Sequence, residues 1–263
     1  MSERSARVVS YAKLHRAPVR REQGRFLVEG ANAVGAALAT DRAEVILVPD
    51  QDAHRYADIV GAAQAQGVPV YGLTPQAAVK LAETETPTGI FAVCGLLDVE
   101  LADVLDTAPT LLAIAVEPRE PGNAGTLIRT ADAMGADAVL FLGDAVDPHN
   151  GKCVRASAGS IFHLPIVRER DTDAALRAVR DAGLGLLATA ADGDLVLDEA
   201  AEALAAPTAW LFGNEAHGLP PQIADAADHR VSIPIRGRAE SLNLAAAAAI
   251  CLYESARVQP TRR

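Results

Sequence analysis

Three short stretches of the chain gather residue types that hold and activate polar groups, and each directly follows a run that reads as a β-strand. The first is Val116-Glu117-Pro118-Arg119-Glu120-Pro121-Gly122-Asn123, continuing through Arg129 to Thr130. Pro121-Gly122 predicts a tight turn, Asn123 suits the cap of the helix that follows, and Arg129 stands nearly two turns into it. The second, Phe212-Gly213-Asn214-Glu215-Ala216-His217-Gly218, ends a strand in glycine and then offers an amide and a carboxylate. Gly213, lacking a Cβ, would let backbone approach a ligand closely. The third runs from Ile233-Pro234-Ile235-Arg236 to Ser241-Leu242-Asn243 and precedes an alanine-rich helix that Ser241 or Asn243 suits as a start. Taken alone, each reads first as a plain turn and a helix start. Together they bring amide, carboxylate, hydroxyl and guanidinium groups to one class of loop.

Other chemistries find no footing. There is no G-x-x-x-x-G-K-[ST] phosphate loop and no G-x-S-x-G elbow, and the six histidines never reach H-x-x-x-H spacing. Gly183-Leu184-Gly185-Leu186-Leu187-Ala188 spells G-x-G-x-x-A, but it runs into a strand, whereas a dinucleotide fingerprint must leave one. Cys94, Cys153 and Cys251 lie far apart with no C-x-x-C, so neither a disulfide framework nor a cysteine-rich metal site is expected, and a reducing cytoplasm is. No run approaches the ~18 apolar residues of a membrane span. The start of the chain lacks the apolar core of a secretion signal.

The elements that must position these loops fall into two alternating patterns. A chain of 263 residues predicts two domains. In the first half, Gly24–Leu38 passes from an extended start into a helix, Glu44–Pro49 reads as a buried strand and Asp50–Gln66 as a helix. Pro69–Tyr71 and Ile90–Cys94 read as further strands, with a short helix at Pro75–Leu81 between them. Asp98–Pro109, with its acids and proline between apolar runs, reads as a linker. In the second half the expected strands are Thr110–Val116, Ala138–Leu142, Leu164–Val167, Leu184–Thr189, Ala209–Phe212 and Arg230–Ile233. Helical patterns cover Asn123–Met134, Ala174–Asp181 and Leu244–Ala256. Strands alternating with helices imply a parallel sheet covered on both faces, which binds ligands beyond the carboxyl ends of its strands. All three chemical stretches lie there.

Charge first argues against a nucleic-acid partner, since 24 bases against 34 acids leave a net charge of −10. The distribution reopens the question. Residues 1–25 carry seven bases and two acids, for +5, while residues 26–109 sum to −9 and residues 110–263 to −6. The basic start reads either as a solvated, partly frayed end or as an arm that meets phosphates.

In order, placement and most letters, PGNAGTLIRT, LFGNEAHGL and IPIRGRAESLNLAAA resemble the three motifs of the SpoU (TrmH-type) branch of the SPOUT RNA 2′-O-ribose methyltransferases. KCVRASAGSIFHLP (Lys152–Pro165) resembles that family's segment between its first two motifs, and REQGRFLVEG (Arg21–Gly30) its small L30e-like substrate-binding domain. The resemblance implies an α/β protein: an L30e-like domain over residues 1–105, then a parallel-sheet SPOUT domain over 106–263 whose C-terminal part threads a trefoil knot. It implies S-adenosylmethionine as cofactor, held at Leu211, Gly213, Asn214, Ile233, Pro234 and Leu242, and no metal. Arg129 would act on the ribose hydroxyl, with Asn123, Glu215, Ser241 and Asn243 orienting it and the substrate. Arg20, Arg21, Arg25, Arg119 and Arg155 would face RNA. A cytoplasmic homodimer packed through the knot region is implied, with no membrane partner. Ribosomal RNA, 23S in particular, is favoured over transfer RNA by analogy with the added first domain, and a non-catalytic RNA-binding relative is the rival class. One letter departs: Glu120 stands where many relatives carry asparagine, placing an acid at the substrate approach.

Overall fold

The computed structural model describes residues 1–83 and 89–259, which divide into two compact units. The first holds the described residues of Met1–Leu97 together with Asp147–His163, and the second holds Asp98–Val146 and those from Leu164 onward.

Short apolar runs build the sheet of the first unit. Strands β1 (Arg25–Glu29), β2 (Ala43–Pro49), β3 (Val70–Leu73) and β4 (Phe91–Gly95) lie in the order β1-β4-β2-β3, antiparallel except for β2 beside β3. The basic start is not a frayed end. It forms the helices Ala6–Ala12 and Ala17–Gln23 around a short 3₁₀ turn, and Val8, Leu14 and Val19 are buried in the core of the unit. Ser5 caps the first helix, and Gly24 ends the second in the left-handed conformation at φ +63°. The stretch expected as one helix after β2 divides into a 3₁₀ segment, Asp50–Tyr56, and an α-helix, Ala57–Ala65.

The segment Asp147–His163 completes this unit from a distant part of the chain. Its helix Gly151–Ser157 is capped by Asn150, whose Oδ1 accepts from the Lys152 N–H at 2.9 Å. Cys153, Val154 and Ile161 are buried, and the rings of His149 and Phe162 lie 4.8 and 6.1 Å from that of Phe26.

In the second unit eight strands form one sheet. They are β5 (Asp98–Val99), β6 (Leu111–Val116), β7 (Ala138–Leu142), β8 (Ile166–Glu169), β9 (Gly185–Thr189), β10 (Leu195–Val196), β11 (Thr208–Phe212) and β12 (His229–Ser232). Their order is β10-β12-β9-β11-β6-β7-β8-β5, and every neighbouring pair is parallel. Both faces of the middle strands are covered, which is why β6, β7 and β11 read as unbroken apolar runs and every residue in them is buried. The expected linker at 98–109 is instead structured: Asp98–Val99 is the edge strand beside β8, and the helix Leu101–Leu105 buries Val104. Two residues of strand are too few to leave a periodic signal.

Two features of this sheet place the chemistry. β6 and β11 are neighbours, with Leu111–Ala115 in register against Thr208–Phe212, so the loops that leave their carboxyl ends lie side by side. The last helix, Leu244–Val258, packs on the helix Pro121–Ala133 and on β11. Its alanines allow that approach, and the Trp210 Nε1–H donates to Ser255 Oγ at 2.8 Å with both residues buried. Leaving that indole N–H without its acceptor costs about 1–3 kcal/mol, so this bond fixes the last helix relative to β11.

Candidate active site

The three chemical stretches meet through one chain of hydrogen bonds. Asn243 caps the last helix: its Oδ1 accepts from the N–H groups of Ala245 at 2.9 Å and Ala246 at 3.4 Å. That leaves only Nδ2 to donate, and it does so to Asn123 Oδ1 at 3.0 Å. Asn123 must then present its own Nδ2, which donates to Glu215 Oε1 at 3.0 Å. Glu215 further accepts from the backbone N–H of Arg119 at 3.1 Å and of Glu120 at 3.2 Å. Every amide in this series has its orientation set by its neighbour.

Burial alone would raise the pKa of Glu215, but the Arg119 N–H, the Asn123 amide and the Glu120 N–H outweigh it and hold the carboxyl below its ordinary range. A carboxylate with three donors on it is a fixed anchor. It orients groups around it and is a poor acceptor for a substrate proton.

Asn123 differs in role from its expectation as helix cap. The helix begins at Pro121, with Glu120 in the cap position and no side-chain capping bond, so Asn123 lies inside the first turn and turns its amide towards Glu215. Proline is favoured at that first position because the N–H it lacks has no helical partner there. Arg129 stands further along the same helix, exposed, and makes no hydrogen bond or ion pair among the described residues. Ser241 is likewise exposed in the loop before the last helix.

The remaining candidates separate by what their atoms are free to do. Leu211 is buried in β11, and its carbonyl accepts from Thr189 Oγ1 at 3.0 Å. Gly213 is needed by the loop itself: a Cβ there would fall 2.2 Å from the Gly218 carbonyl carbon and 2.3 Å from the Leu219 nitrogen. The close approach at Gly213 within the loop is one of backbone to backbone, clamped by the paired bonds between Asn214 and Gly218 at 2.9 and 2.8 Å. Asn214 also ties the first two loops, its Nδ2 donating to the Glu117 carbonyl at 2.8 Å. Ile233 is partly buried just after β12, while Pro234 and Leu242 are exposed. Residues 234–242 make no backbone hydrogen bonds among the described residues, so their N–H and C=O groups remain available.

Of the bases expected to face RNA, Arg20 needs correction. It is 2% exposed, donating from Nε and Nη2 to Asp147 Oδ2 at 3.0 and 2.6 Å and from Nη1 to the Leu14 and His15 carbonyls, so its charge is enclosed within the first unit. Arg155 bonds Glu29 at 3.3 Å and Glu83 at 3.1 Å. The hydrogen bond from His15, with help from Arg155, holds Glu83 below the usual carboxylate range despite burial. Arg25 pairs with Glu44 and Arg119 with Asp144, both still half exposed, and Arg21 is exposed. The spacing of bases in sequence carries no sign of which is enclosed, because the acid that receives Arg20 lies 127 residues away. For the same reason neither Asp144 nor Asp147 stands out in the sequence.

Among the described residues no group of three His, Cys, Asp or Glu side chains is placed to hold a metal ion, and no helix is long and apolar enough to cross a membrane. The family model described as the SpoU rRNA Methylase family matches residues 110–253, and that described as the MRM3-like substrate binding domain matches residues 6–92. The 23S rRNA (guanosine(2553)-2′-O)-methyltransferase RlmP of Bacillus subtilis (strain 168) is 35% identical over 254 residues, 96% of each chain. The 23S rRNA (uridine(2479)-2′-O)-methyltransferase of Streptomyces viridochromogenes is 37% identical over 194 residues, 70% of this chain and 66% of that one. The solved structure of an AdoMet-bound rRNA methyltransferase from Sinorhizobium meliloti, 28% identical, superposes with a TM-score of 0.83 over 98% of this chain and 97% of that one. The three loops tied together by Asn243, Asn123 and Glu215 all lie within the matched region, and the chain belongs to the SpoU rRNA methylase family.

Proposed function

We propose that this protein transfers a methyl group from S-adenosylmethionine to a ribose 2′-hydroxyl in structured RNA, with 23S ribosomal RNA as substrate. The observation that carries the reading is the bonded series Asn243–Asn123–Glu215, which fixes three loops, with Arg129 exposed six residues along the helix from Asn123 and without a partner among the described residues. The named relatives act on 23S rRNA at guanosine in one case and uridine in the other, so the rRNA class is common to them and the base is not.

The residues fit the cofactor. Residues 234–242 offer free backbone donors and acceptors beyond the carboxyl end of β12, and Gly213 and Asn214 offer a rigid turn beyond β11. Ile233, Pro234 and Leu242 with that turn would hold S-adenosylmethionine, which supplies an electrophilic methyl group when bound. Arg129 holds an RNA phosphate and stabilises the charge that develops on the ribose oxygen. Its guanidinium keeps its proton above pH 12 and so is not the base. Asn123 and Asn243 each keep one amide hydrogen beyond those used in the series, aimed by their neighbours, to orient ribose or phosphate oxygens.

RNA capture falls to the first unit, whose match to a substrate binding domain supports it. The exposed bases of its first 25 residues are Arg4, Arg7, Lys13, Arg16, Arg21 and Arg25. A homodimer through the knotted C-terminal region is supported by Ile235, Leu242, Ile250 and Tyr253, large apolar side chains exposed on the third loop and the last helix. A cytoplasmic location is supported by three buried free cysteines, each with its thiol pushed up by burial.

Incubation with 23S rRNA and labelled S-adenosylmethionine, followed by mapping of 2′-O-methyl positions, tests the reading. One modified ribose and a sedimentation mass of two chains are expected; cofactor binding without methyl transfer to any rRNA would overturn it. The charge assignment has its own test. The double variant Arg16→Ala/Arg21→Ala should flatten the slope of log K against log salt for RNA binding by about 0.7–0.9 for each phosphate no longer neutralised. Cofactor binding should not change, and an unaltered slope would remove these bases from the RNA face.

A further inference from the structure

One arginine of the basic start stands apart from the rest. Arg7 is exposed on the helix Ala6–Ala12, and its guanidinium carbon lies over the ring of Tyr71, 4.7 Å from the ring centroid. Tyr71 belongs to β3, the edge strand, and packs partly buried against the core that holds Val8, Leu73 and Leu81. A ring seated in this way is a fixed floor, and the attraction between its face and the cation holds the guanidinium above it. Arg7 makes no hydrogen bond or ion pair among the described residues, so its five N–H donors stay free.

The other arginines of the first unit lack this combination. Arg25 pairs with Glu44, Arg155 with Glu29 and Glu83, and Arg20 is enclosed with Asp147. Arg16 and Arg21 are exposed with no ring beneath them. Arg55 does lie over a ring, that of Tyr56 at 5.8 Å, but Asp52 is 3.9 Å from it. Among the described arginines of the unit, Arg7 alone joins an unpaired charge to a held position.

Its surroundings extend the surface. Tyr11 stands one turn along the same helix, on the same side as Arg7, partly buried and with no partner for its hydroxyl among the described residues. Lys80, exposed on the neighbouring helix Pro75–Leu81, donates from Nζ to the Glu3 carbonyl at 2.7 Å, which brings its ammonium to the start of the Arg7 helix. The Arg4 side chain is 91% exposed there, with Glu3 at 3.6 Å as its one acid. Cations alone would recognise phosphate in RNA of any shape. A planar guanidinium held over a ring adds a flat surface that takes the face of a base, and a base offers its face only where it is unpaired. A duplex would present phosphates and groove edges, and an acidic peptide would leave the plane unused. The surface therefore fits a single-stranded stretch of RNA, with a base on Arg7 and the flanking phosphates on Arg4 and Lys80.

We propose that Arg7, positioned by Tyr71, stacks on an unpaired base of the RNA substrate, so that the first unit recognises a loop as well as phosphate charge. The proposal rests on the RNA-methylation reading above. Its test measures binding of the full-length protein to a 23S rRNA stem-loop cut around the mapped 2′-O-methyl position, and to the same RNA with its loop closed by a complementary strand. Arg7→Lys keeps the charge and removes the plane. It should weaken binding of the open loop by about five- to hundredfold, the range for losing one base stack. The slope of log K against log salt, and the affinity for the closed RNA, should stay as in the wild type. Tyr71→Leu, which keeps an apolar side chain against the core, should show the same selective loss, and Tyr71→Phe should show none. Arg7 is exposed, so Arg7→Lys decides the matter even if leucine at position 71 fails to fold. Arg55→Lys, at the acid-paired counterpart, should change neither affinity. Open-loop binding that Arg7→Lys leaves unchanged, or an equal loss on both RNAs, overturns the stacking assignment. A wild type that binds neither RNA overturns the RNA-methylation reading itself.

Discussion

Replacing Arg129 with alanine should lower kcat by on the order of 10²–10³, the usual loss when a charge-stabilising donor is removed from an active site, while thermal stability stays unchanged. Both halves of that expectation come from one observation. Arg129 is exposed and has no partner among the described residues, so the fold loses no bond with it. Glu215→Gln should behave differently. Its carboxylate gathers the Arg119 and Glu120 N–H groups and the Asn123 amide, and a glutamine would turn an NH₂ towards donors. The loop Arg119–Pro121 would then lose its anchor, and the variant should raise KM for RNA as well as lower kcat. The pH dependence follows with its sign. Glu215 titrates below the ordinary carboxylate range, so the series is intact above that range and is lost only as pH falls through the lowered value. Arg129 holds its proton throughout. The acid limb of kcat should therefore lie below the ordinary carboxylate range in the wild type and disappear in Glu215→Gln. An Arg129→Ala protein with wild-type kcat, by single-turnover methylation, would remove Arg129 from the chemistry.

The difference between those two residues also explains how far the site was legible in the sequence. Asn243 was readable as a helix start because capping is local: its Oδ1 reaches N–H groups two and three residues on. Asn123 was read as a cap for the same reason and is not one, since its partner Glu215 lies 92 residues away and no periodicity reports that separation. The buried strands β6, β7 and β11 were legible because burial on both faces demands apolar residues at every position. The two-residue strands β5 and β10 carry no such demand. Gly213 stands out in the sequence as a residue that admits close approach, and within the loop the atoms it admits belong to Gly218 and Leu219. Glycine reports that space is needed and not what fills it. The left-handed backbone of Glu117, at φ +48°, left no signal at all, because it is imposed by Leu142, Asn214 and Gly143 and not by the residue's own type.

Removing either side of the Arg20–Asp147 pair should destabilise the protein by about 3–5 kcal/mol, the cost of leaving one buried charge without its partner. The Arg20 side chain is 3% exposed and that of Asp147 14%. Desolvation would raise the carboxyl pKa, yet the hydrogen bonds from His149 and Arg20 overcome it and leave Asp147 far below the ordinary range. The linkage sign is fixed by that direction. A carboxyl lowered on folding contributes its full stability above its unfolded pKa of about 3.9, and loses it as pH falls towards the folded value. Asp147→Asn should therefore remove a stabilisation that is present at neutral pH and absent in strong acid. The pair has a consequence beyond its own energy. Asp147 opens the segment Asp147–His163, and its Oδ1 also accepts the His149 N–H at 3.0 Å, while His149 Nε2 accepts from the Leu97 N–H at 3.0 Å. That segment is part of the first unit although 49 residues separate it from Leu97 in the chain. Residues 1–97 alone should accordingly fail to fold cooperatively, since Arg20 would then be buried without the carboxylate that balances its charge. Denaturant unfolding separates the possibilities. Arg20→Ala and Asp147→Ala should each lose the full amount, and the apolar double variant Arg20→Met/Asp147→Leu should recover most of it. Single variants that unfold at the wild-type midpoint would show that the pair is incidental to stability.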